Sequence, residues 1–197
     1  MTELSGHKVE GRQGEIEIAG IKGHKDVVID GHLVDKKSAS SMSFDNFQRG
    51  LTKETDKFGY ITQLLGYLHG SKDDPVVKDK DSASFLVMDK QHGHLHLDTH
   101  VKDPEVNFEE AFEQRKAEVN SPDIPPRAFE PIPDGYNHKV TKEFIANGNM
   151  KLDTYCSYCE QKFHCHDNIR TFLFSTGPKY FTKIVDGKEP KVYEIKE

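Results

Sequence analysis

The chain contains 197 residues, of which 30% are charged and 35% hydrophobic, and its formal net charge is −6. This length corresponds to one domain, or to one domain with an appendage, and is sufficient to bury a core without disulfides. An aromatic content of 10% excludes a wholly disordered chain, and the acidic charge excludes a protein that binds polyanions by bulk charge alone. No apolar run reaches the roughly 18 residues that a membrane span needs. The first residues lack the basic and apolar regions of a signal peptide, so a cytoplasmic protein without membrane partners is expected.

The N-terminal part of the chain predicts a β-meander of three strands. Residues 15–18 alternate with period two, and Ala19-Gly20 forms a turn. A second strand is expected over residues 21–29, followed by a turn at Asp30-Gly31 and a third strand over residues 32–39. Asp-Gly between two apolar runs is among the strongest short-range signals for a two-residue hairpin.

Three helices and a second hairpin are predicted next. Ser43 is expected to cap a short helix that ends near Gly50, and a longer helix is expected over residues 55–68. The runs SFLVMDK and HGHLHLDTH predict a hairpin that turns at residues 91–93, and residues 105–119 predict an amphipathic helix.

A proline-rich stretch separates these elements from a cysteine-bearing C-terminal region. Five of the nine prolines are expected to hold this stretch in an extended, structureless crossing: Pro122, Pro125, Pro126, Pro131 and Pro133. The sequence thus predicts an α/β (α+β) fold with a mixed sheet flanked by helices. Its core is expected at residues 1–150, and a small cysteine-rich metal-binding unit at residues 151–197.

The hairpin around Asp30-Gly31 predicts a cluster of charged side chains. A two-residue turn pairs Asp26 with Asp35 and His24 with Lys37 across the two strands, so these four side chains share one face. Two opposed carboxylates repel each other, and a divalent cation is the obvious compensation; oxygen ligands favour Mg²⁺ or Mn²⁺. Two alternatives remain at this point. The carboxylates are solvated surface groups, or a three-residue turn shifts every pairing by one.

Three motifs in chain order resemble those of the PD-(D/E)xK nuclease superfamily. The first is Asp26 followed by Asp35-Lys36-Lys37, which resembles the D…(D/E)xK signature. The second is Gln63 to Tyr67, which resembles the Q-x3-Y motif of the RecB-like branch. The third is the C-x2-C-x5-C spacing of Cys156, Cys159 and Cys165, which is similar to that of CRISPR-associated and AddB-type iron–sulfur nucleases. The resemblance implies a restriction-endonuclease-like mixed central sheet.

The resemblance also implies a role for each matching residue. Asp26, Asp35 and the backbone carbonyl of Lys36 would bind the catalytic Mg²⁺ or Mn²⁺. Lys37 would be the catalytic lysine in phosphodiester hydrolysis. Gln63 and Tyr67 would position the site or the DNA backbone. The family usually carries a further metal-binding histidine on an upstream helix, and this helix is expected to be missing from the chain. One of three residues would then replace the histidine as the third metal ligand: His24, Glu15 or Glu17.

The three cysteines predict a second metal site. They cannot all pair in disulfides, and their clustering indicates a metal in a reducing compartment. With either His164 or His166, Cys156, Cys159 and Cys165 would form a closed Cys₃His zinc site. A 4Fe–4S cluster with a ligand from elsewhere is the alternative.

These observations favour a metal-dependent DNA exonuclease that acts in end processing, replication or recombination, in a bacterium or a phage-infected cell. Its expected partners are DNA and a replication or recombination protein. Because the net charge is acidic, a local basic track would have to hold the DNA, with contributions from Lys36, Arg49, Lys53 and Lys57. The competing hypothesis is a non-catalytic interaction or scaffold module with a degenerate nuclease fold that carries zinc or a cluster.

Overall fold

The computed structural model describes residues 5–56, 58–123, 127 and 129–196. The chain divides into two compact units, of which the first ends at Asp123 and the second begins at Ile124. This boundary lies earlier than the expected one at residue 150, because the strands at residues 132–151 pair with the C-terminal strands. Lys57, Pro125 and Pro126, which were part of the predictions, lie outside the described residues.

The first unit is a mixed α and β structure, as predicted. Its strands are β1 Val9–Glu10, β2 Gly14–Ile18, β3 Ile21–Lys25, β4 Val27–Ile29, β5 His32–Ala39, β6 Ser82–Asp89 and β7 Leu95–Val101. Five of them form a sheet in the order β1-β4-β5-β6-β7, in which β5 and β6 are parallel and the other pairs are antiparallel. Strands β2 and β3 form a separate two-stranded hairpin.

The turn at Asp30-Gly31 sets the register of β4 and β5 as predicted. Both residues have positive φ, 53° and 87°, which a two-residue hairpin turn of this kind requires. Ile29 accordingly faces His32 across the hairpin. The predicted strand over residues 32–39 is confirmed to the residue, and the turn at Ala19-Gly20 likewise joins β2 to β3 in the expected register.

Three helices belong to the first unit: α1 Ser41–Gln48, α2 Tyr60–Gly70 and α3 Phe108–Val119. The prediction that Ser43 caps α1 is wrong, because the Ser40 side chain accepts the Ser43 N–H and Ser40 is the cap. Helix α2 begins five residues later than expected, since Gly59 adopts a left-handed conformation with φ 70° immediately before it. Helix α3 begins three residues late, where the Asn107 side chain accepts the Glu110 N–H.

A single hydrophobic cluster holds these elements together. The apolar side chains of α1 and α2 pack on one face of the sheet, where Leu64, Leu68 and Phe85 are at most 1% exposed. Burial of such side chains contributes about 1.5–3 kcal/mol each relative to their exposure. The core therefore fixes α2 against β5 and β6, the strands that carry the central part of the candidate site.

The second unit is a β-sheet with two short helical turns. Its elements are β8 Ile132–Asn137, β9 Phe144–Lys151, α4 Thr154–Tyr158, α5 Lys162–Cys165, β10 Arg170–Phe174, β11 Gly177–Lys183 and β12 Tyr193–Ile195. The strands form an antiparallel sheet in the order β12-β10-β11-β9-β8. Pro133 lies within β8, so this end of the proline-rich stretch is a strand and not the structureless crossing that was expected.

None of the helices in the described ranges is long and apolar enough to cross a membrane.

Candidate metal centre

Asp26 lies at a break between two strands that were predicted to be one. The ladder between β4 and β5 ends at Val27 and Val34. Two residues further along β5, the Lys36 N–H donates to Asp26 Oδ2 at 2.9 Å. The Asp26 side chain therefore takes the place of a strand carbonyl, and β3 departs to pair with β2. Gln13 Nε2 donates to the other oxygen, Oδ1, at 3.1 Å.

These hydrogen bonds keep Asp26 ionised. Partial burial alone would raise its pKa, but hydrogen bonds, first that from the Lys36 N–H and then that from Gln13, outweigh burial and lower the pKa below the usual value. Both carboxylate oxygens are thereby fixed in direction, and each retains lone-pair capacity for a cation.

Asp35 is the buried member of the carboxylate pair. It is 5% exposed, and the charge of Asp26 acts on its carboxyl group. Burial raises the pKa of Asp35, the ammonium group of Lys37 opposes this rise, and the charge of Asp26 adds to it. Asp35 Oδ2 is one of two buried side-chain polar atoms in the described residues without a hydrogen-bond partner.

Lys37 provides the cation of the cluster. Its Nζ lies 2.7 Å from Asp35 Oδ2, which is an ion pair by distance, and its side chain is 23% exposed. The side chain of Lys36 is exposed and points to the other face of β5, as expected for a neighbouring residue in a strand. The structure thus brings together Asp26, Asp35 and Lys37.

His24 does not join this cluster, and this part of the predicted face is wrong. Because β3 leaves the sheet at Asp26, His24 pairs with Glu15 on β2 and not with Lys37 on β5. Glu15 in turn accepts a hydrogen bond from Lys22 Nζ at 2.9 Å, which lowers the pKa of the Glu15 carboxyl. Glu17 faces Lys22 across the same hairpin.

Gln63 and Tyr67 lie on α2 and contact each other. Gln63 Nε2 donates to the Tyr67 hydroxyl at 3.0 Å. The Tyr67 ring lies directly over β3 at Gly23, where a Cβ atom would stand 2.9 Å from Tyr67 Cε1. Together with apolar side chains of β2 and α3, these residues line a cavity of about 320 Å³. No hydrogen bond or ion pair among the described residues joins this pair to Asp26 or Asp35.

The predicted cysteine site lies on the two short helical turns of the second unit. Cys156 is in α4, Cys159 directly follows it, and Cys165 ends α5. All three are free thiols. Burial raises the pKa of the Cys156 thiol, and the charge of Asp153 raises it further.

The two histidines beside Cys165 differ in their surroundings. His164 is exposed, whereas His166 is 4% exposed and its Nε2 has no hydrogen-bond partner in the described part of the chain. A buried imidazole nitrogen without a partner is costly unless something binds it. Of the two predicted zinc ligands, the structure therefore favours His166.

Neither site is a complete set of ligands. Across residues 5–56, 58–123, 127 and 129–196, no three histidine, cysteine, aspartate or glutamate side chains are grouped as a metal ion would require. At the carboxylate pair, the hard oxygen donors of Asp26 and Asp35 fit a Mg²⁺ or Mn²⁺ ion that retains several waters.

Sequence reasoning missed three groups of supporting residues around the candidate site. Gln13, which binds Asp26, belongs to no recognisable pattern. Lys25 is 2% exposed and forms an ion pair with Asp74, which holds the backbone next to Asp26. Asp56 accepts the N–H groups at the start of α2, and an acidic residue just before a helix is a signal that could have been found.

The proposed basic track is only partly described. Lys36, Arg49 and Lys53 have exposed side chains.

Comparisons of the chain with protein-family models, with curated proteins and with solved structures found no match.

Proposed function

We propose that the chain is a Mg²⁺- or Mn²⁺-dependent DNA nuclease that acts as an exonuclease in end processing, replication or recombination. The observation that carries this proposal is the ion pair of the buried Asp35 carboxyl with Lys37, next to Lys36, whose N–H is bonded to the Asp26 carboxyl. Two adjacent carboxylates and one mostly desolvated lysine are the groups that metal-assisted phosphodiester hydrolysis needs.

Each side chain has a distinct task in this proposal. Asp26 and Asp35, with the Lys36 backbone carbonyl, hold the divalent cation. The cation supplies a Lewis acid for the phosphate and lowers the pKa of an attacking water. Lys37 places a positive charge where negative charge grows on the scissile phosphate, and in a site shielded from water such a charge is effective.

Gln63 and Tyr67 keep the DNA backbone aligned along α2. Their mutual hydrogen bond and the packing of Tyr67 on Gly23 fix both side chains relative to β3. DNA is the expected partner together with a replication or recombination protein, in the cytoplasm of a bacterium or a phage-infected cell. The PD-(D/E)xK motif order supports this assignment.

The test compares end-labelled linear DNA with covalently closed circular DNA of the same sequence, with Mg²⁺, with Mn²⁺ and with EDTA. The proposal expects progressive loss of nucleotides from the linear DNA with either metal and none with EDTA. Equal cutting of the circular DNA would contradict the exonuclease assignment. No hydrolysis of either DNA, with metal retained at the cysteines, would favour the interaction-module hypothesis.

We further propose a structural zinc site at Cys156, Cys159, Cys165 and His166. Its support is the buried, unpartnered Nε2 of His166 in the same short segment as three free thiols. Zinc supplies a tetrahedral link between the two helical turns. Elemental analysis and a visible absorption spectrum distinguish zinc, which is colourless, from the alternative 4Fe–4S cluster. His164→Ala is the matched control and should retain the metal.

A further inference from the structure

Lys37 has a second partner besides Asp35. Its Nζ lies 4.7 Å from the centroid of the Tyr60 ring, over the face of that ring. A cation in this position is attracted by the negative face of the aromatic system. Tyr60 is the first residue of α2, so this helix contributes directly to the position of the lysine.

The Tyr60 ring is held in place from two sides. The Asp56 carboxylate accepts the backbone N–H groups of Tyr60 at 3.0 Å and Ile61 at 2.8 Å, which fixes the first turn of α2. The ring edge packs against Phe85 with 6.4 Å between centroids. Phe85 is fully buried and lies beside Asp35 in the parallel ladder of β5 and β6. The ring therefore has a fixed position relative to both charged side chains.

We propose that Tyr60 is a positioning residue that keeps Lys37 at the site when a divalent cation occupies Asp35. This inference rests on the nuclease function proposed above. A divalent cation at Asp35 competes with Lys37 for Oδ2 and repels its ammonium group. The face of an aromatic ring attracts the ammonium group and is no ligand for Mg²⁺, which takes oxygen donors. Tyr60 thus keeps Lys37 at the site when a bound divalent cation weakens the ion pair between Lys37 and Asp35.

The kinetic test compares Tyr60→Leu with Tyr60→Phe, which keeps the ring and lacks the hydroxyl. Tyr60→Leu should lower kcat about 5- to 10-fold, equivalent to about 1–1.4 kcal/mol, with KM changed less than about twofold. Tyr60→Phe should stay within about twofold of the wild type, because the ring face is retained.

A double mutant separates positioning from packing. In a Lys37→Ala background, Tyr60→Leu should cause no further loss of kcat, because the group that it positions is absent. A purely structural role of Tyr60 would lower kcat in both backgrounds, and that result would overturn the proposal. Thermal unfolding of each variant shows whether it is folded at the assay temperature.

A measurement independent of hydrolysis is the NMR shift of the Lys37 Hε protons, assigned by their loss in Lys37→Ala. The ring should shift these protons upfield in the wild type and in Tyr60→Phe, with and without saturating Mg²⁺, and the shift should vanish in Tyr60→Leu. Loss of the shift on addition of Mg²⁺ would overturn the positioning role. If wild-type protein hydrolyses no DNA with either metal, the nuclease function itself fails. If it hydrolyses DNA and Tyr60→Leu is as active as wild type, only the positioning role fails.

Discussion

Replacing Lys37 with alanine isolates the contribution of one positive charge to hydrolysis. The ammonium group lies 2.7 Å from Asp35, and its side chain is 23% exposed, so water screens the charge only partly. Removal of a preorganised group of this kind typically lowers kcat by about 10² to 10³, or roughly 3–4 kcal/mol. The substitution removes no metal ligand, because an ammonium group cannot coordinate a cation. We therefore expect the loss in kcat, with Mn²⁺ affinity equal to or above that of the wild type, because the ammonium group that competes for Asp35 Oδ2 is gone.

Lys36→Ala is the matched control for this prediction. The same charge is lost one residue away, on an exposed side chain. The Lys36 N–H that donates to Asp26 belongs to the backbone and is retained in alanine. Activity should fall less than about threefold, the effect of one surface charge on DNA binding.

The assay is single-turnover hydrolysis of a short end-labelled duplex in Mg²⁺, with Mn²⁺ affinity measured separately by calorimetry. Comparable losses of rate in Lys36→Ala and Lys37→Ala would contradict the catalytic role of Lys37, since the two side chains point to opposite faces of β5. A Lys37→Ala variant with more than about a third of the wild-type rate would also refute it, because that corresponds to well under 1 kcal/mol.

Three further predictions concern stability and the second metal site. Lys25→Met should lower the free energy of unfolding, measured in urea, by about 2–3 kcal/mol. This loss is smaller than for a fully buried ion pair because the partner, Asp74, is 28% exposed. A loss under about 1 kcal/mol would contradict the buried ion pair. The pKa of Asp79 is held well below its usual range, first by the hydrogen bond from Ser82. The wild type should therefore have a higher melting temperature than Asp79→Asn at neutral pH, and this difference should shrink as the pH falls below about 4. A difference in melting temperature that does not depend on pH would contradict the lowered pKa of Asp79. His166→Ala should lose the bound zinc and melt at a lower temperature, whereas full metal content in the purified variant would exclude this residue as a ligand.

Elements whose conformation depends on adjacent residues were predictable from the sequence. Asp30 and Gly31 adopt positive φ locally, and the register of β4 and β5 follows from that turn. The pairing of Glu15 with His24 follows in the same way from the turn at Ala19-Gly20.

Features that depend on side-chain hydrogen bonds between distant residues were not predictable. The break at Asp26 exists because its carboxylate accepts the Lys36 N–H, ten residues away. A regular period-two pattern carries no sign of such a substitution, so β3 and β4 were expected to be continuous. The late start of α2 has a different, local origin: apolar periodicity extends back to residue 58, but the left-handed conformation of Gly59 prevents the helix from beginning there.

Supporting residues on the far side of a loop were also inaccessible to pattern analysis. The ion pair of Lys25 with Asp74 and the bond from Gln13 to Asp26 join separate parts of the chain that no motif connects. The charged residues of the candidate site were found because the turn register placed two of them opposite each other. Their surroundings, which set the pKa of each carboxyl group, required the structure.

The most direct test of the carboxylate pair is the hydrolysis of linear DNA by Asp35→Asn in Mg²⁺, measured together with its Mn²⁺ affinity. Asparagine preserves the shape of the side chain and removes the charge, so the fold should be retained while a cation ligand is lost. We expect Mn²⁺ binding to weaken at least about tenfold and the rate of hydrolysis to fall by about 10² or more, as for the loss of a charged group in a preorganised site. Wild-type rates and wild-type Mn²⁺ affinity in Asp35→Asn would contradict a metal-dependent site at Asp26 and Asp35.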